Sequence, residues 1–277
     1  IMIEKNIFQC YWNRSGNPLI NDLINKHKSM NPDYNYYLYD DKDMDVFVNK
    51  HYNGEISECY NKLNITVAKA DFWRYLVLYK YGGIYLDMDS SIEKPLNQLI
   101  KEEDQAIITE EGNPYNYVQW ALIFSKEHPI LKKTIELVCD NIKNNRYPND
   151  ILKMTGPDIY TKAIREFHHE LFNCKLNRER KRETDVTYRI NNISYRLYGI
   201  DFGSYFTFKH KFSRLLFTNN IGSASALELD EDTRTVTLDS KGSTVVMSPE
   251  QVKRGKRLFN NACGTCHVGG LTKTNPN

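Results

Sequence analysis

Two consecutive glycines, Gly82-Gly83, separate a Gly- and Pro-free apolar run (68–81) from the alternating segment Ile84-Tyr85-Leu86-Asp87-Met88-Asp89. A glycine just past a final helical turn supplies left-handed backbone, and a second one permits a tight reversal into the next element. The run before them holds Leu76, Val77 and Leu78 among aromatics and predicts a well-buried helix. The segment after them predicts a strand over 84–89, with Ile84, Leu86 and Met88 on one face and Tyr85, Asp87 and Asp89 on the other. On the helix, Asp71 and Arg74 stand three residues apart and are neighbours.

Two carboxylates converging at a strand end repel each other and lose solvation, an arrangement relieved by a hard divalent cation. Mn2+ or Mg2+ fits, keeping open positions for substrate phosphate oxygens. An isolated Asp-x-Asp also arises by accident, as solvated acids at a strand end. An Asp71–Arg74 pair taken alone is an ordinary helical ion pair. The surroundings separate these alternatives.

Ala70-Asp71, Arg74-Tyr75, Leu78-Tyr79, Tyr81-Gly82-Gly83-Ile84-Tyr85-Leu86-Asp87 and Asp89 resemble glycosyltransferase family 32, the DXD-containing sugar transferases. Gln9-Cys10-Tyr11-Trp12, His128-Pro129 and Thr155-Gly156-Pro157 resemble further landmarks, and the similarity extends over 1 to about 215. The resemblance implies a retaining GT-A enzyme: an α/β nucleotide-binding sandwich with a mixed central sheet, a GDP- or UDP-sugar donor, and a glycan, lipid or protein acceptor. It assigns Asp71, Arg74 and Asp87 to catalysis. Gln9, Trp12, Asp71, Arg74, Tyr75, Gly83 and Asp87 would contact the donor, and Asp87, Asp89 and His210 the metal. The chain departs from the family pattern in carrying Phe8 where a histidine is usual, and in lacking a Ser-Trp pair after the late histidine.

Cleaving a glycosyl-phosphate bond develops oxocarbenium character on the sugar and negative charge on the leaving oxygen, so a cation at the diphosphate and an acid or dipole near the ring are needed. Asp71 is a candidate for the second. No residue stands out as a covalent nucleophile.

A separate signal lies near the other end. Cys263-Gly264-Thr265-Cys266-His267 is C-x-x-C-H, in which two thiols can bond haem vinyl groups while His267 ligates the iron. From Leu227, including Thr233-Arg234-Thr235-Val236 and Gly255-Lys256-Arg257-Leu258-Phe259, the sequence resembles the beginning of the extrinsic cytochrome c family of photosystem II. The second axial ligand expected downstream is not reached by Asn277, and the tail has few apolar residues to enclose a porphyrin. The expectation is therefore a chimera. It has a transferase domain over 1–215, a linker or signal-peptide remnant over 216–226, where Gly222-Ser223-Ala224-Ser225-Ala226 looks like a small-residue cleavage site, and a truncated, poorly packed cytochrome segment over 227–277. Haem-based electron transfer and nucleotide-sugar binding without transfer are the competing functions. A C-x-x-C redox pair remains open, whereas Cys10, Cys59, Cys139 and Cys174 are isolated, read as buried free thiols, and supply no zinc set.

The formal charge of +2 argues against obligatory nucleic-acid or membrane-surface binding, and no stretch reaches transmembrane length. No amino-terminal signal-like run is evident, which leaves localisation open. Further expected elements are a strand near Ile7, a helix from Asn17-Pro18, a strand over 34–39 and a helix from Asp40-Asp41 through Phe47. Beyond the acidic strand come a strand over 118–124, helices after Pro129 and Pro157, a basic loop over 175–182, strands within 187–208 and a helix over 248–260.

Overall fold

The computed structural model describes residues 2–11, 18–111, 116–174, 176, 185–198 and 206–208, together with three short backbone segments between 229 and 246. Trp12, His210, Cys263, Cys266, His267, the linker and the helix expected over 248–260 lie outside the described residues.

In chain order the first half forms β1 (Asn6–Cys10), α1 (Pro18–Met30), β2 (Asn35–Tyr39), α2 (Asp41–His51), α3 (Glu55–Lys62), α4 (Thr66–Tyr81), β3 (Gly83–Leu86), β4 (Ser90–Ile92), α5 (Leu96–Leu99) and β5 (Ala106–Thr109). The second half forms β6 (Ala121–Phe124), α6 (Pro129–Lys143), α7 (Ile151–Met154), α8 (Pro157–Phe172), β7 (Val186–Ile190), β8 (Ile193–Tyr198) and β9 (Phe206–Phe208). Three short strands, β10 (Leu229–Asp230), β11 (Thr235–Thr237) and β12 (Thr244–Val246), pair antiparallel among themselves.

Seven strands make one mixed sheet in the order β2-β1-β3-β6-β5-β8-β7. β1 runs parallel to β2 and β3, and β5 parallel to β8, while β6 and β7 are antiparallel to their neighbours. Alternation along these strands builds two cores. Ile7, Ile84, Leu86, Ile107 and Ile123 pack with Ile92, Leu96 and Phe206 on one face. Phe8, Tyr85, Ile108, Leu122 and Phe124 pack against residues of α2, α3, α4, α6 and α8 on the other. This is the expected α/β architecture.

α4 matches the expected core helix and begins two residues earlier. Its residues 71–78 are all buried, as a helix with neighbours on every side requires. It ends at Gly82, with φ +62°, followed by Gly83 at φ +114°. A Cβ on Gly83 would lie 2.5 Å from the Asn6 carbonyl oxygen, so both the conformation and the close approach of β1 demand glycine.

The strand expected over 84–89 stops at Leu86. Residues 87–89 form a turn closed by the Ser90 N–H donating to the Asp87 carbonyl at 3.0 Å. Met88 keeps the apolar alternation going because it buries in a third cluster, with Tyr11, Ile20 and Leu23 beside α1. The two acids therefore project from a turn and do not share a strand face. α2 extends to His51, beyond Phe47, and the strand expected over 118–124 is shortened to β6. α3, β4 and β5 have no counterpart among the sequence expectations. The tyrosines of 36–39 lie in β2 as sheet residues, in keeping with a packing role.

Candidate functional site

The carboxyl end of β3 meets the middle of α4 at Arg74. Its guanidinium contacts Asp71 Oδ1 at 2.9 Å through Nη2 and Asp87 Oδ1 at 3.2 Å through Nη1, and Nη1 also donates to the Gln119 carbonyl at 3.1 Å. It lies over the Tyr85 ring, 4.6 Å from the centroid, and the Tyr85 hydroxyl donates to Asp87 Oδ1 at 2.6 Å. Asp71 and Arg74 are each only 5% exposed. The i,i+3 pairing expected from the sequence is formed, and it is buried.

On the far side, Thr155 Oγ1 donates to Asp71 Oδ2 at 3.3 Å, and the Gln119 side-chain amide reaches both Asp71 Oδ1 and the Tyr75 hydroxyl. Tyr75 in turn donates to the Thr155 carbonyl at 3.0 Å. Burial pushes the Asp71 carboxyl up to about 6 against the pull of Arg74. Asp89, outside this network, is held well above the usual carboxylate range by burial and by the charge of Asp87. It lines a cavity of about 180 Å³ with Leu19, Asp22, Leu23, Lys26, Ser90 and Ser91.

Gln9 has no exposed surface. Its Nε2 donates to the Asp87 carbonyl at 3.2 Å, and its Oε1 accepts from the Tyr36 hydroxyl at 2.6 Å and lies 3.0 Å from His27 Nδ1. Because His27 Nε2 accepts the Ile92 N–H at 3.1 Å, Nδ1 carries the proton and donates to Gln9. Burial drives the His27 imidazole down to about 4, keeping it neutral. β1, α1, β2 and the turn are thus bolted together behind Asp87, and Gln9 holds the turn from behind. Gly83 begins β3, at the opposite end from Asp87, and shapes the entry of the strand beside Asn6.

The structure brings Asp71, Arg74, Tyr75, Asp87 and Gln9 into one bonded assembly with Asp89 at its edge. Sequence reasoning did not assign Tyr85, Gln119, Thr155 or His27 to the site. Thr155 and Tyr85 fall inside segments matched by the family resemblance, whereas Gln119 and His27 carry no local signal. The described cysteines are all free, with Cys59 and Cys139 buried, Cys10 intermediate and Cys174 exposed, which corrects the expectation of uniformly buried thiols.

Asp87 and Asp89 are the residues that could hold a hard divalent cation. Both contacts to the Asp87 side chain fall on Oδ1, and Asp89 is pressed toward its neutral form by burial and the neighbouring charge, a strain that a cation would relieve. Among the described residues, no cluster of three or more His, Cys, Asp or Glu side chains is placed to hold a metal. Such an ion would therefore draw its remaining ligands from phosphate oxygens and water, the usual habit of Mg2+.

The mixed α/β sheet with paired acids on a turn at a strand end is the setting for the likenesses found to known proteins. Residues 18–106 match the family model described as the glycosyltransferase sugar-binding region containing the DXD motif. The solved structure of PaToxG glycosyltransferase shares the fold, with a TM-score of 0.51 and 17% identity over 95% of this chain and 87% of that one. Residues 227–277 match the cytochrome c-550 domain. That segment is similar to photosystem II extrinsic protein V of Emiliania huxleyi, with 85% identity over 54 residues covering 20% of this chain and 33% of the relative. The corresponding protein of Phaeodactylum tricornutum is 69% identical over 62 residues, covering 22% of this chain and 38% of the relative. The chain thus spans about a third of the length of these curated relatives. One polypeptide thus carries a match to a sugar-binding region and, separately, a match to a cytochrome c-550 domain. Among the described residues no helix is long and apolar enough to cross a membrane.

Proposed function

We propose that the chain is a metal-dependent, retaining glycosyltransferase that moves a sugar from a nucleotide-sugar donor to a glycan, lipid or protein acceptor. The reading rests on residues 1–215 forming the catalytic domain, 216–226 the linker and 227–277 the appended cytochrome segment. The observation that carries it is the Asp71–Arg74–Asp87 assembly at the end of β3, with the Asp89 carboxyl at its edge, near enough to feel both Asp87 and Arg74.

Asp87 and Asp89 would hold Mn2+ or Mg2+, which supplies charge neutralisation at the departing diphosphate. Arg74 fixes the Asp87 carboxylate from one side and Tyr85 from the other, so its orientation is set before substrate arrives. Asp71 supplies a negative potential within a low-dielectric setting, where it opposes the positive charge that develops on the sugar ring. Trp12 and His210 belong to the proposed donor and metal contacts by resemblance alone.

The test is calorimetric titration with UDP-, GDP- and CMP-sugars, with and without Mn2+, on the wild type and Asp89→Asn. Metal-dependent binding of one donor, weakened at least about 100-fold in the variant, is the expected result and names the nucleotide. Wild type that ignores every donor would end the transferase proposal. The cytochrome c-550 match supports a second reading, haem attachment at Cys263 and Cys266 with His267 as ligand, which a Soret band in the purified chain would establish.

A further inference from the structure

The far end of α8 carries a chemical grouping that the sugar site does not use. α8 begins at Pro157, next to Thr155, and its 16 residues carry the chain about 24 Å away. The helix closes at Asn173, in the left-handed conformation, whose N–H donates to the His169 carbonyl. Cys174 follows and is exposed, with its Sγ 3.4 Å from His168 Nε2. The other ring nitrogen of His168, Nδ1, is hydrogen-bonded to the Tyr195 hydroxyl.

His168 is only 1% exposed and sits among Phe172, Tyr188 and Tyr195, with ring centroids 4.9, 4.7 and 6.1 Å away. Its ring orientation is therefore fixed by packing. In the tautomer that donates Nδ1–H to the Tyr195 hydroxyl, the lone pair of Nε2 faces the thiol, as a base needs. A nucleophile beside a base, with the base oriented by a third group, is the general geometry of an activated side chain.

The other described thiols differ. Burial pushes Cys10 up to about 11 and raises Cys59 and Cys139 as well. None of these three has an imidazole against its sulfur among the described contacts.

We propose that Cys174 is a reactive thiol, activated by His168 and oriented through Tyr195, that is modified by low-molecular-weight disulfides. In the step, Cys174 transfers its S–H proton to His168 Nε2, and the thiolate attacks one sulfur of the disulfide. The S–S bond breaks, and the departing thiolate takes up a proton. Cys174 is oxidised to a mixed disulfide, and the other half of the reagent is reduced to a free thiol. No further oxidant is required.

The test uses the full chain with a limiting amount of dithiobis(nitrobenzoate), locating the label by peptide mass spectrometry so that Cys263 and Cys266 are counted separately. Cys174 is expected to react first at pH 6.5, at least about tenfold faster than in His168→Gln, since an unassisted thiol is only about 1% ionised there. The rate should show an inflection below the ordinary thiol range that disappears in that variant. Tyr195→Phe, which keeps the ring and removes only the hydroxyl, should lower the rate a few-fold with the fold intact, and it decides the matter if His168→Gln fails to fold. A Cys174 rate that is unchanged in the folded variants, or that rises through a single inflection near about 8.5, would overturn the proposal.

Discussion

Two buried arginines in this molecule sit among acids, and their surroundings differ in a way that separates scaffolding from chemistry. Arg196, on β8, grips Asp104 with both Nε and Nη2, reaches Asp185 Oδ1 at 2.8 Å through Nη1, and donates to the Leu99 carbonyl at 2.7 Å. Lys101 holds the other oxygen of Asp185 at 3.0 Å, so two cations meet two carboxylates. Hydrogen bonds from Arg196 and Lys101 pull the Asp185 carboxyl below its ordinary range. Arg74 contacts Asp71 and Asp87, with Asp89 near enough for its carboxyl to feel both Asp87 and the arginine. One cation meets three acids, and burial raises Asp71 and Asp89 where Asp185 is lowered. A closed network clamps a fold; an open one has a deficit of positive charge that a ligand can fill.

Replacing each arginine in turn breaks the comparison most directly. Arg196→Met leaves Asp104 buried and unpaired and should destabilise by about 3–5 kcal/mol in urea unfolding, with donor binding per folded molecule unchanged. Arg74→Met should lose comparable stability and donor binding together, because the same guanidinium orients Asp87. If Arg196→Met abolished binding as well, the division into clamp and site would fail.

Acid exposes the second difference. His27, behind the open network, has an imidazole driven down to about 4 by burial, against about 6.5 when unfolded. Between those values the unfolded chain binds more protons, so the contribution of His27 is fully present above about pH 6.5. It is lost as pH falls toward 4, with a slope of at most about 1.4 kcal/mol per pH unit. Asp71, raised to about 6, leans the opposite way, its contribution fading as pH rises through that value. The difference between wild type and His27→Gln in unfolding midpoint at pH 7 and pH 5 isolates the histidine: the variant should show the shallower decline. His128, also lowered to about 4 by burial, will retain its own share of the slope in both proteins.

The smallest effects should still fall on the correct side. Thr155→Val removes one hydrogen bond to Asp71 and should lose about 1 kcal/mol in thermal or urea unfolding. Lys101→Met, at an exposed pair on the closed network, should change stability by less than about 0.5 kcal/mol.

Legibility in the sequence followed distance along the chain. Gly82-Gly83 marked the α4–β3 junction because the backbone there admits no side chain, and the Asp71–Arg74 pair was readable from helical spacing. The turn at 87–89 was hidden by Met88, whose burial beside α1 mimics the next inward position of a strand. β5 escaped because Ala106-Ile107-Ile108-Thr109 is a short strand buried along its whole length and shows no alternation. Gln119 and Thr155 join the site from 48 and 84 residues beyond Asp71, a separation that no local pattern encodes. The Arg196 clamp was equally invisible, being assembled across 92 residues.

Asp87 is held by its N–H, by its carbonyl and by one of its two carboxylate oxygens. Its N–H donates to the Trp120 carbonyl at 2.8 Å, its carbonyl accepts from Gln9 and Ser90, and one carboxylate oxygen is shared by Arg74 and Tyr85. Its conformational entropy is therefore surrendered when the chain folds and not when a ligand arrives. Affinity at this turn should accordingly be insensitive to loop loosening elsewhere, and the temperature dependence of binding should reflect desolvation of the acids more than ordering of the residue that carries them.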